Sequence, residues 1–262
     1  SGTRMAGSKG GPIKVGFYKT EAVVLRNRDF READQLVTLF SLDYGKIKAV
    51  ARGARKPKSR LRGGIQAFTW NDLMLHTGRN LDIITGCDIR RSFYFREDLD
   101  KLTNALYWAD LLERILPERE ANPALYALFI NFLQVLDSLP DNPKMTDDYR
   151  VLSHLFELKL ANLAGYRPDL NQCGYCQKPL TPAKGRVWFS LGLGGVVCPV
   201  CVQAPEAGFL PLSLGTLKIM QYWLGMPVQQ FYRLKVTKSN RQELERILPA
   251  FLEYYLEQGI SS

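Results

Sequence analysis

The sequence has few of the residues and motifs on which enzyme active sites are usually built. It holds only two histidines in 262 residues, His76 and His154, and neither belongs to an HExxH zinc motif. It contains no GxxxxGK[ST] phosphate-binding loop and no GxSxG nucleophile motif. No acidic cluster typical of a two-metal nuclease can be picked out along the chain. We therefore predict a binding protein without catalytic residues.

Long apolar runs are also missing. The longest uncharged stretch, 187–205, has 19 residues, but three glycines, two prolines and two cysteines interrupt it. It therefore does not predict a membrane-spanning helix. Residues 1–12 lack the apolar segment of a signal peptide, and we expect them to be a tag or disordered N-terminus. Together these observations predict a soluble, cytoplasmic protein with no membrane partner.

Positive charge is concentrated in the first third of the chain. Residues 1–95 contain 18 Lys and Arg against 8 Asp and Glu, a net charge of +10. Residues 96–262 contain 17 Lys and Arg against 18 Asp and Glu, a net charge of −1. Such a localised positive field is typical of a protein with a polyanionic partner, although net charge alone is equally compatible with a generally soluble basic protein.

Residues 13–95 are predicted to form a small β-barrel or sandwich. β-branched and aromatic residues alternate there between turn signals, which indicates strands. The predicted strands are Ile13–Asn27, Ala33–Leu42, Lys46–Arg52, Gln66–His76 and Asn80–Tyr94. In the last strand Leu81, Ile83, Cys87 and Ile89 are expected to share one apolar face, which makes Cys87 a buried small hydrophobe.

Helical periodicity begins at residue 98 and is interrupted once. Apolar residues at helical spacing predict helices over 99–116, Pro123–Leu139, Asp147–Ala164, Ser213–Leu224 and about Asn240–Glu257. Between the third and fourth helices, residues 168–208 lose periodicity and contain four of the five cysteines. The sequence therefore predicts a β domain followed by a helical domain that carries an insert.

The insert contains two CxxC motifs, Cys173–Cys176 and Cys198–Cys201, with 21 residues between them. This spacing is typical of four thiolates around one tetrahedral zinc ion, a closed site that leaves no position for a catalytic water. Iron tolerates the same ligands, and two disulfides or empty knuckles are the remaining alternatives. We predict a structural zinc ion.

A basic segment with no acidic residue runs from Lys46 to Arg62. Ile47, Ala49 and Ala51 are predicted to face the interior, which places cations on the opposite face and along a following flexible loop. Phosphodiester backbones neutralise such crowded charges, so nucleic acid is the favoured ligand over a merely solvated loop. The candidate DNA-binding residues are Lys46, Lys48, Arg52, Arg55, Lys56, Lys58, Arg60 and Arg62. Aromatic residues that either stack on bases or pack in the core are Phe17, Tyr18, Phe30, Tyr44, Phe68 and Trp70.

Three segments of the first 95 residues are TEAVVLR at 20–26, DQLVTLF at 34–40 and GKIKAVARGARKPKSRL at 45–61. Together they resemble the bacterial recombination mediator family RecO. The resemblance continues with FELKL at 156–160, GYRP at 165–168 and GGVVCPVC at 194–201. The similarity extends from about residue 14 to 258, and the ARGARKPKS stretch is its most specific part.

The resemblance implies an α+β multidomain protein. Its parts would be an N-terminal OB-fold β-barrel (13–95), a helical bundle in two parts (96–167 and 209–262) and an inserted four-cysteine zinc finger (168–208). Cys173, Cys176, Cys198 and Cys201 would be the zinc ligands, and the basic segment would lie on the DNA-binding face.

The resemblance also implies a function in DNA repair and recombination. Such proteins bind single- and double-stranded DNA and anneal complementary strands without ATP. With RecR they help load RecA onto single strands coated by the single-strand-binding protein (SSB), which associates them with the nucleoid. Family members also dock the acidic C-terminal tail of SSB on the helical domain, and the candidate residues here are Lys218, Trp223, Arg233 and Lys235.

Two other classes of function fit the same residues. One is a zinc-stabilised RNA-binding OB-fold module, because OB-folds accept either sugar. The other is an adaptor whose basic face recognises acidic protein tails. Competition between matched DNA and RNA strands, and binding of an acidic peptide, distinguish these alternatives.

Overall fold

The computed structural model describes residues 16–93, 95, 98–140, 146–180, 186–202 and 208–259. The predicted N-terminal tag, 1–12, lies outside these residues. The chain divides into two compact units. One takes the chain up to residue 97 together with Ala109–Ala127, and the other takes Asp98–Trp108 and the chain from Leu128 on. The domain boundaries predicted from the sequence remain predictions.

Five strands form a closed barrel in the first unit. They are β1 (Phe17–Phe30), β2 (Asp34–Ser41), β3 (Gly45–Ala51), β4 (Thr69–His76) and β5 (Asp82–Ser92). The order around the barrel is β1-β2-β3-β5-β4, and the β3–β5 pair is parallel while the other pairs are antiparallel. This five-stranded closed arrangement is the OB-fold. All five strands expected from the sequence are confirmed.

Alternating residues of these strands fill the barrel. Ile47, Ala49 and Ala51 face inward, as the sequence predicts, together with residues of the other four strands. The predicted apolar face of β5 is wrong, because Ile84 is buried whereas Ile89 is half exposed. A register shift between Met74 and Leu75 pairs Met74 with Gly86 and Leu75 with Ile84, so the two-residue alternation is reset there. Cys87 is only half-buried, at the edge of this core.

A buried carboxylate, Asp82, lies at the start of β5. It is fully buried, and it accepts hydrogen bonds from the Tyr18 hydroxyl and from the Gly78 backbone N–H at 3.0 Å. The Arg119 guanidinium forms an ion pair with it at 2.7 Å. Burial, followed by the hydrogen bond to Asp82, raises the pKa of Tyr18. The Arg119 guanidinium compensates the buried negative charge of Asp82, which would be costly without a partner. The same ion pair joins the turn after the first helix to the barrel.

The helices follow the predicted positions closely. They are α1 (Leu99–Ile115), α2 (Pro123–Ser138), α3 (Thr146–Leu163), α4 (Leu214–Gly225) and α5 (Lys238–Gly259), with a 3₁₀ helix at Val228–Arg233. Trp108, Phe132 and Phe156 form an aromatic cluster in the second unit, with ring centroids 5.0–5.5 Å apart. Among the described helices, none is long and apolar enough to cross a membrane.

A small second sheet is formed by two strands of the cysteine-rich insert and a third strand that directly follows it. Its strands are β6 (Arg186–Ser190), β7 (Gly195–Val197) and β8 (Phe209–Ser213), arranged in the order β7-β6-β8 with antiparallel pairs. Phe189 of β6 is buried against Phe251 of α5, at a ring-centroid distance of 5.2 Å. The sheet therefore anchors the two CxxC motifs on the helices of the second unit.

Candidate metal centre and nucleic-acid interface

The two CxxC motifs meet in space. The Sγ atoms of Cys173, Cys176, Cys198 and Cys201 all lie within 4.8 Å of one another. Backbone hydrogen bonds shape both motifs, because Gln177 N–H donates to the Cys173 carbonyl at 2.8 Å and Cys201 N–H donates to the Cys198 carbonyl at 3.0 Å. Gly174 N–H also donates to the Val196 carbonyl at 2.9 Å, which ties the first motif to β7. The chain thus brings together four soft ligands that can hold one metal ion.

The surroundings of Cys173 favour a thiolate. Burial acts to raise its pKa, but backbone N–H groups of Cys198, Cys176 and Tyr175 donate to its sulfur and lower the pKa to about 6. The Cys198 N–H lies 3.3 Å from that sulfur. Hydrogen bonding to Cys198 and burial instead raise the pKa of Cys201 to about 12. Thiolates this close together repel one another, so a bound cation would be needed to keep all four sulfurs deprotonated, which fits a metal with sulfur ligands.

The basic loop after β3 is more ordered than the sequence predicts. We expect a flexible loop from the sequence, whereas the structure has successive turns in which Lys56 N–H donates to the Gly53 carbonyl and Ser59 N–H to the Lys56 carbonyl. Ala54 and Ile65 belong to the barrel core and anchor both ends of the loop. The cationic side chains between them are exposed, whereas Leu61 packs against the barrel core.

Most of the loop's cations face solvent without acidic partners. Within the described part of the chain, no ion pair neutralises five exposed side chains, which are Arg52, Lys56, Lys58, Arg60 and Arg62. Arg55 differs, because its guanidinium donates to the Glu32 carbonyl at 3.0 Å and lies 3.4 Å from Asp29. These contacts join the loop to the β1–β2 turn, one of the loops by which OB-folds bind nucleic acids.

The two strand lysines have different environments. Lys46 is half-buried, and its ammonium donates to the Glu113 carbonyl near the end of α1 at 2.7 Å. Burial lowers its pKa. Lys48 is exposed but forms an ion pair with Glu118 at 2.5 Å. The predicted row of solvent-facing cations on β3 is therefore wrong for Lys46, because the chain between α1 and α2 covers it.

We expect a Lys46→Met substitution to lower the free energy of unfolding by about 1 kcal/mol, because a charge-assisted hydrogen bond to a helix C-terminus is lost. The exposed Lys48 is the matched control, and Lys48→Met should change stability by no more than about 0.5 kcal/mol. Urea unfolding followed by circular dichroism measures both. Equal effects of the two substitutions would contradict the assigned role of Lys46.

Most of the aromatic candidates for stacking are part of the barrel. Phe68 is buried, Tyr18 is bonded to Asp82, and the Trp70 indole donates to Glu21 at 2.9 Å. Tyr44 packs against the barrel core. Phe17 is 70% exposed, and the half-buried Phe30 lies under the Arg31 guanidinium beside the β1–β2 turn. Of the six, only Phe17 is exposed, whereas Phe30, like Tyr18, Tyr44 and Trp70, is half-buried.

One of the four candidates for docking the SSB tail does not lie on the surface. Lys218, Arg233 and Lys235 are exposed, but Trp223 is fully buried. The prediction that Trp223 contacts a peptide therefore conflicts with its position in the core of the second unit. Among the described residues, Tyr222 (44% exposed) and Tyr232 (71% exposed) are the large side chains near these cations that a partner can reach.

Sequence reasoning missed two arginines of β1. Arg26 and Arg28 alternate on the exposed face of the strand, and with Lys48 they line a cavity of about 200 Å³. Their two-residue spacing after the apolar run 22–25 is a signal that could have identified them. The acidic partners of Arg26 could not be found in this way, since Asp110 and Glu113 are more than eighty positions away along the chain.

Comparison with known proteins identifies relatives along nearly the whole chain. Residues 15–93 match the family model described as recombination protein O N terminal, and residues 96–262 match recombination protein O C terminal. The chain is 39% identical to the DNA repair protein RecO of Pelotomaculum thermopropionicum, over 94% of this chain and 91% of that protein. It is 34% identical to the DNA repair protein RecO of Symbiobacterium thermophilum, over 95% of this chain and 96% of that protein.

Proposed function

We propose, because this chain belongs to the recombination protein O family, that it is a DNA-binding mediator of recombinational repair. In this proposal it binds single- and double-stranded DNA and anneals complementary strands without ATP. With RecR it helps load RecA onto single strands coated by SSB. It acts in the cytoplasm, in association with the nucleoid, and it carries out no catalytic step.

One observation carries the DNA-binding part of the proposal. Five exposed cations without acidic partners among the described residues project from a fixed backbone between 52 and 62, next to the β1–β2 turn. Phosphate groups neutralise such a cluster and release condensed counterions, which provides affinity without sequence specificity. A mediator that acts wherever a gap or break occurs needs this kind of binding.

The same cations account for annealing without nucleotide hydrolysis. Two complementary strands repel each other through their phosphates, and a surface that neutralises one strand lowers the barrier to pairing. Exposed Phe17 and half-buried Phe30 can hold bases by stacking, so that their pairing edges remain accessible. Base pairing itself then supplies the free energy of the reaction.

We assign zinc to the four-cysteine cluster, with Cys173, Cys176, Cys198 and Cys201 as ligands. The metal would neutralise the thiolates and hold the two CxxC motifs against the β6–β8 sheet. Because four protein ligands complete the tetrahedral shell, the ion has a structural role.

For the SSB tail we propose the exposed surface near α4 and the 3₁₀ helix. Lys218, Arg233 and Lys235 would pair with the tail carboxylates, and Tyr222 and Tyr232 would contact its apolar residues. Trp223 supports this surface from the core. RecR and RecA remain proposed partners without an assigned surface.

Annealing of complementary oligonucleotides tests the proposed function. Mixing two strands of about 50 nucleotides with the protein in the absence of ATP should accelerate duplex formation at least about tenfold at low salt, because phosphates are neutralised. Fluorescence quenching between end labels gives the rate. A strict requirement for ATP contradicts the proposal. Preferential binding of a matched RNA strand would favour the RNA-binding alternative, and tight binding of an acidic peptide with weak DNA binding would favour the adaptor.

A further inference from the structure

A second row of cations crosses the outer face of the barrel. In the strand register Arg26 of β1 lies opposite Thr38 of β2, and Thr38 lies opposite Lys48 of β3. All three side chains point away from the core, and Arg28 follows two positions along β1. The outer face of strands 2 and 3 is the surface on which OB-folds bind nucleic-acid strands.

The row and the basic loop are connected through the end of β1. Arg28 adjoins Asp29, whose carboxylate pairs with Arg55 at the start of that loop. Arg28 has no hydrogen-bond or ion-pair partner among the described residues. Arg28 is therefore the cation of this row that a phosphate can bind without displacing an acidic side chain.

Three carboxylates cover the far end of the row. Glu113 pairs with Arg26 at 3.0 Å, Asp110 pairs with Arg26 at 3.4 Å, and Glu118 pairs with Lys48 at 2.5 Å. All three acids come from α1 and the turn that follows it. They hold the positions that phosphate oxygens would occupy on the same two cations.

The backbone that carries these acids is fixed. Tyr126 packs against buried Phe40 at a ring-centroid distance of 5.3 Å, and Lys46 binds the Glu113 carbonyl. Gly45 has a φ of +63°, and a Cβ there would lie 1.8 Å from the Glu120 carbonyl oxygen, so only glycine allows this close approach. The ion pairs themselves are half exposed, with Arg26 at 51% and Lys48 at 49% side-chain exposure. Such pairs are weak, so the carboxylates can be displaced while the backbone stays in place.

We propose that Arg26, Arg28 and Lys48 form a second phosphate-binding surface for a nucleic-acid strand, and that Asp110, Glu113 and Glu118 hold it at reduced affinity by competing with phosphate. This inference rests on the proposed function and extends it. The loop binds first, and a strand reaches the covered row only when its phosphates outcompete the three carboxylates. The acids thus limit how tightly the protein retains a strand that it must later release.

The test is to neutralise the three carboxylates that pair with Arg26 and Lys48. The variant D110N/E113Q/E118Q keeps the side-chain shapes, and D147N/E245Q/E253Q is its control. The control removes the same three charges from exposed side chains of α3 and α5 in the other unit, where Asp147 pairs with Arg241. Each cation that gains a phosphate contact steepens the slope of log K against log salt for single-strand binding by about 0.7. Release of two cations, Arg26 and Lys48, therefore predicts a slope steeper by about 1.4. At about 0.1 M salt this corresponds to roughly 10- to 30-fold tighter binding, against less than about 3-fold for the control.

A second substitution distinguishes the release of Arg26 from a general effect of net charge on binding. Arg26→Ala should weaken binding less than about 2-fold in the wild-type protein, where Arg26 is already paired, but about 5-fold in the neutralised variant. Fluorescence anisotropy of a labelled strand across a salt series measures all five proteins, and thermal unfolding checks their integrity. The inference would be overturned by equal gains in DNA affinity in the neutralised variant and its control, or by equal effects of Arg26→Ala in both backgrounds. The proposed function would stand in either case. If neither the wild-type protein nor the neutralised variant binds at low salt, the proposed function fails with it.

Discussion

Replacing Arg52, Lys56, Lys58 and Arg60 by alanine is expected to weaken single-strand binding by about two to three orders of magnitude at about 0.1 M salt. These four side chains are exposed and have no acidic partner among the described residues, so their loss removes phosphate contacts without breaking an internal ion pair. The slope of log K against log salt should become shallower by about 3, because each contact contributes about 0.7. Arg55 is left unchanged because it binds Glu32 and Asp29 at the β1–β2 turn.

The matched control removes four cations from the other unit. The variant K218A/R233A/K235A/K238A has the same change in net charge and alters only exposed side chains. It should retain DNA affinity within about threefold, because these side chains are not among the proposed phosphate contacts and affect the strand only through a screened field. It should also lose affinity for an acidic peptide that ends like the SSB tail, whereas the loop variant should retain that affinity. Similar losses of DNA binding in the two variants would move the DNA interface away from the loop.

Replacing Cys173 by serine is expected to abolish metal binding and to unfold the insert. The free energy of binding structural zinc is on the order of 10 kcal/mol in small zinc domains, and most of it is folding free energy. Cys173 is fully buried and organises both motifs, since the Cys198 N–H donates to its sulfur. Elemental analysis should show the zinc content fall from one ion per chain to none. Hydrogen exchange should accelerate over the described residues 168–180 and 186–202.

Cys87→Ser provides the control for this prediction. Cys87 lies on β5, half-buried at the edge of the barrel core and outside the four-cysteine cluster. Its replacement should leave the zinc content and the exchange rates of the insert unchanged. The barrel of the Cys173→Ser variant should remain folded and should still bind DNA, because the insert belongs to the other unit. A Cys173→Ser protein that keeps stoichiometric zinc would contradict the assignment of the ligands.

Local patterns along the sequence were sufficient for most of the fold. Strands and helices have periods of two and 3.6 residues, so Gly45–Ala51 and Leu99–Ile115 could be located to within a few residues. The register of β5 could not be predicted, because a bulge opposite Met74 and Leu75 depends on the partner strand. The burial of Trp223 was missed for a similar reason. Helical spacing shows that a residue lies on an apolar face, but the packing partners decide whether a large aromatic residue is covered.

The sequence by itself determined the chemistry of this protein: two CxxC motifs that supply four thiolates, and a run of cations that attracts phosphate. These properties belong to residues close together in the chain, and short-range spacing is sufficient to recognise them. Only the tertiary structure decided which of the cations are available. Lys46 is engaged by the helix end and Lys48 by Glu118. Arg55 is engaged at the β1–β2 turn, whereas the other five cations of the loop have no acidic partner among the described residues. Ion pairs between residues seventy or more positions apart depend on how the chain folds back on itself, and no local pattern records them.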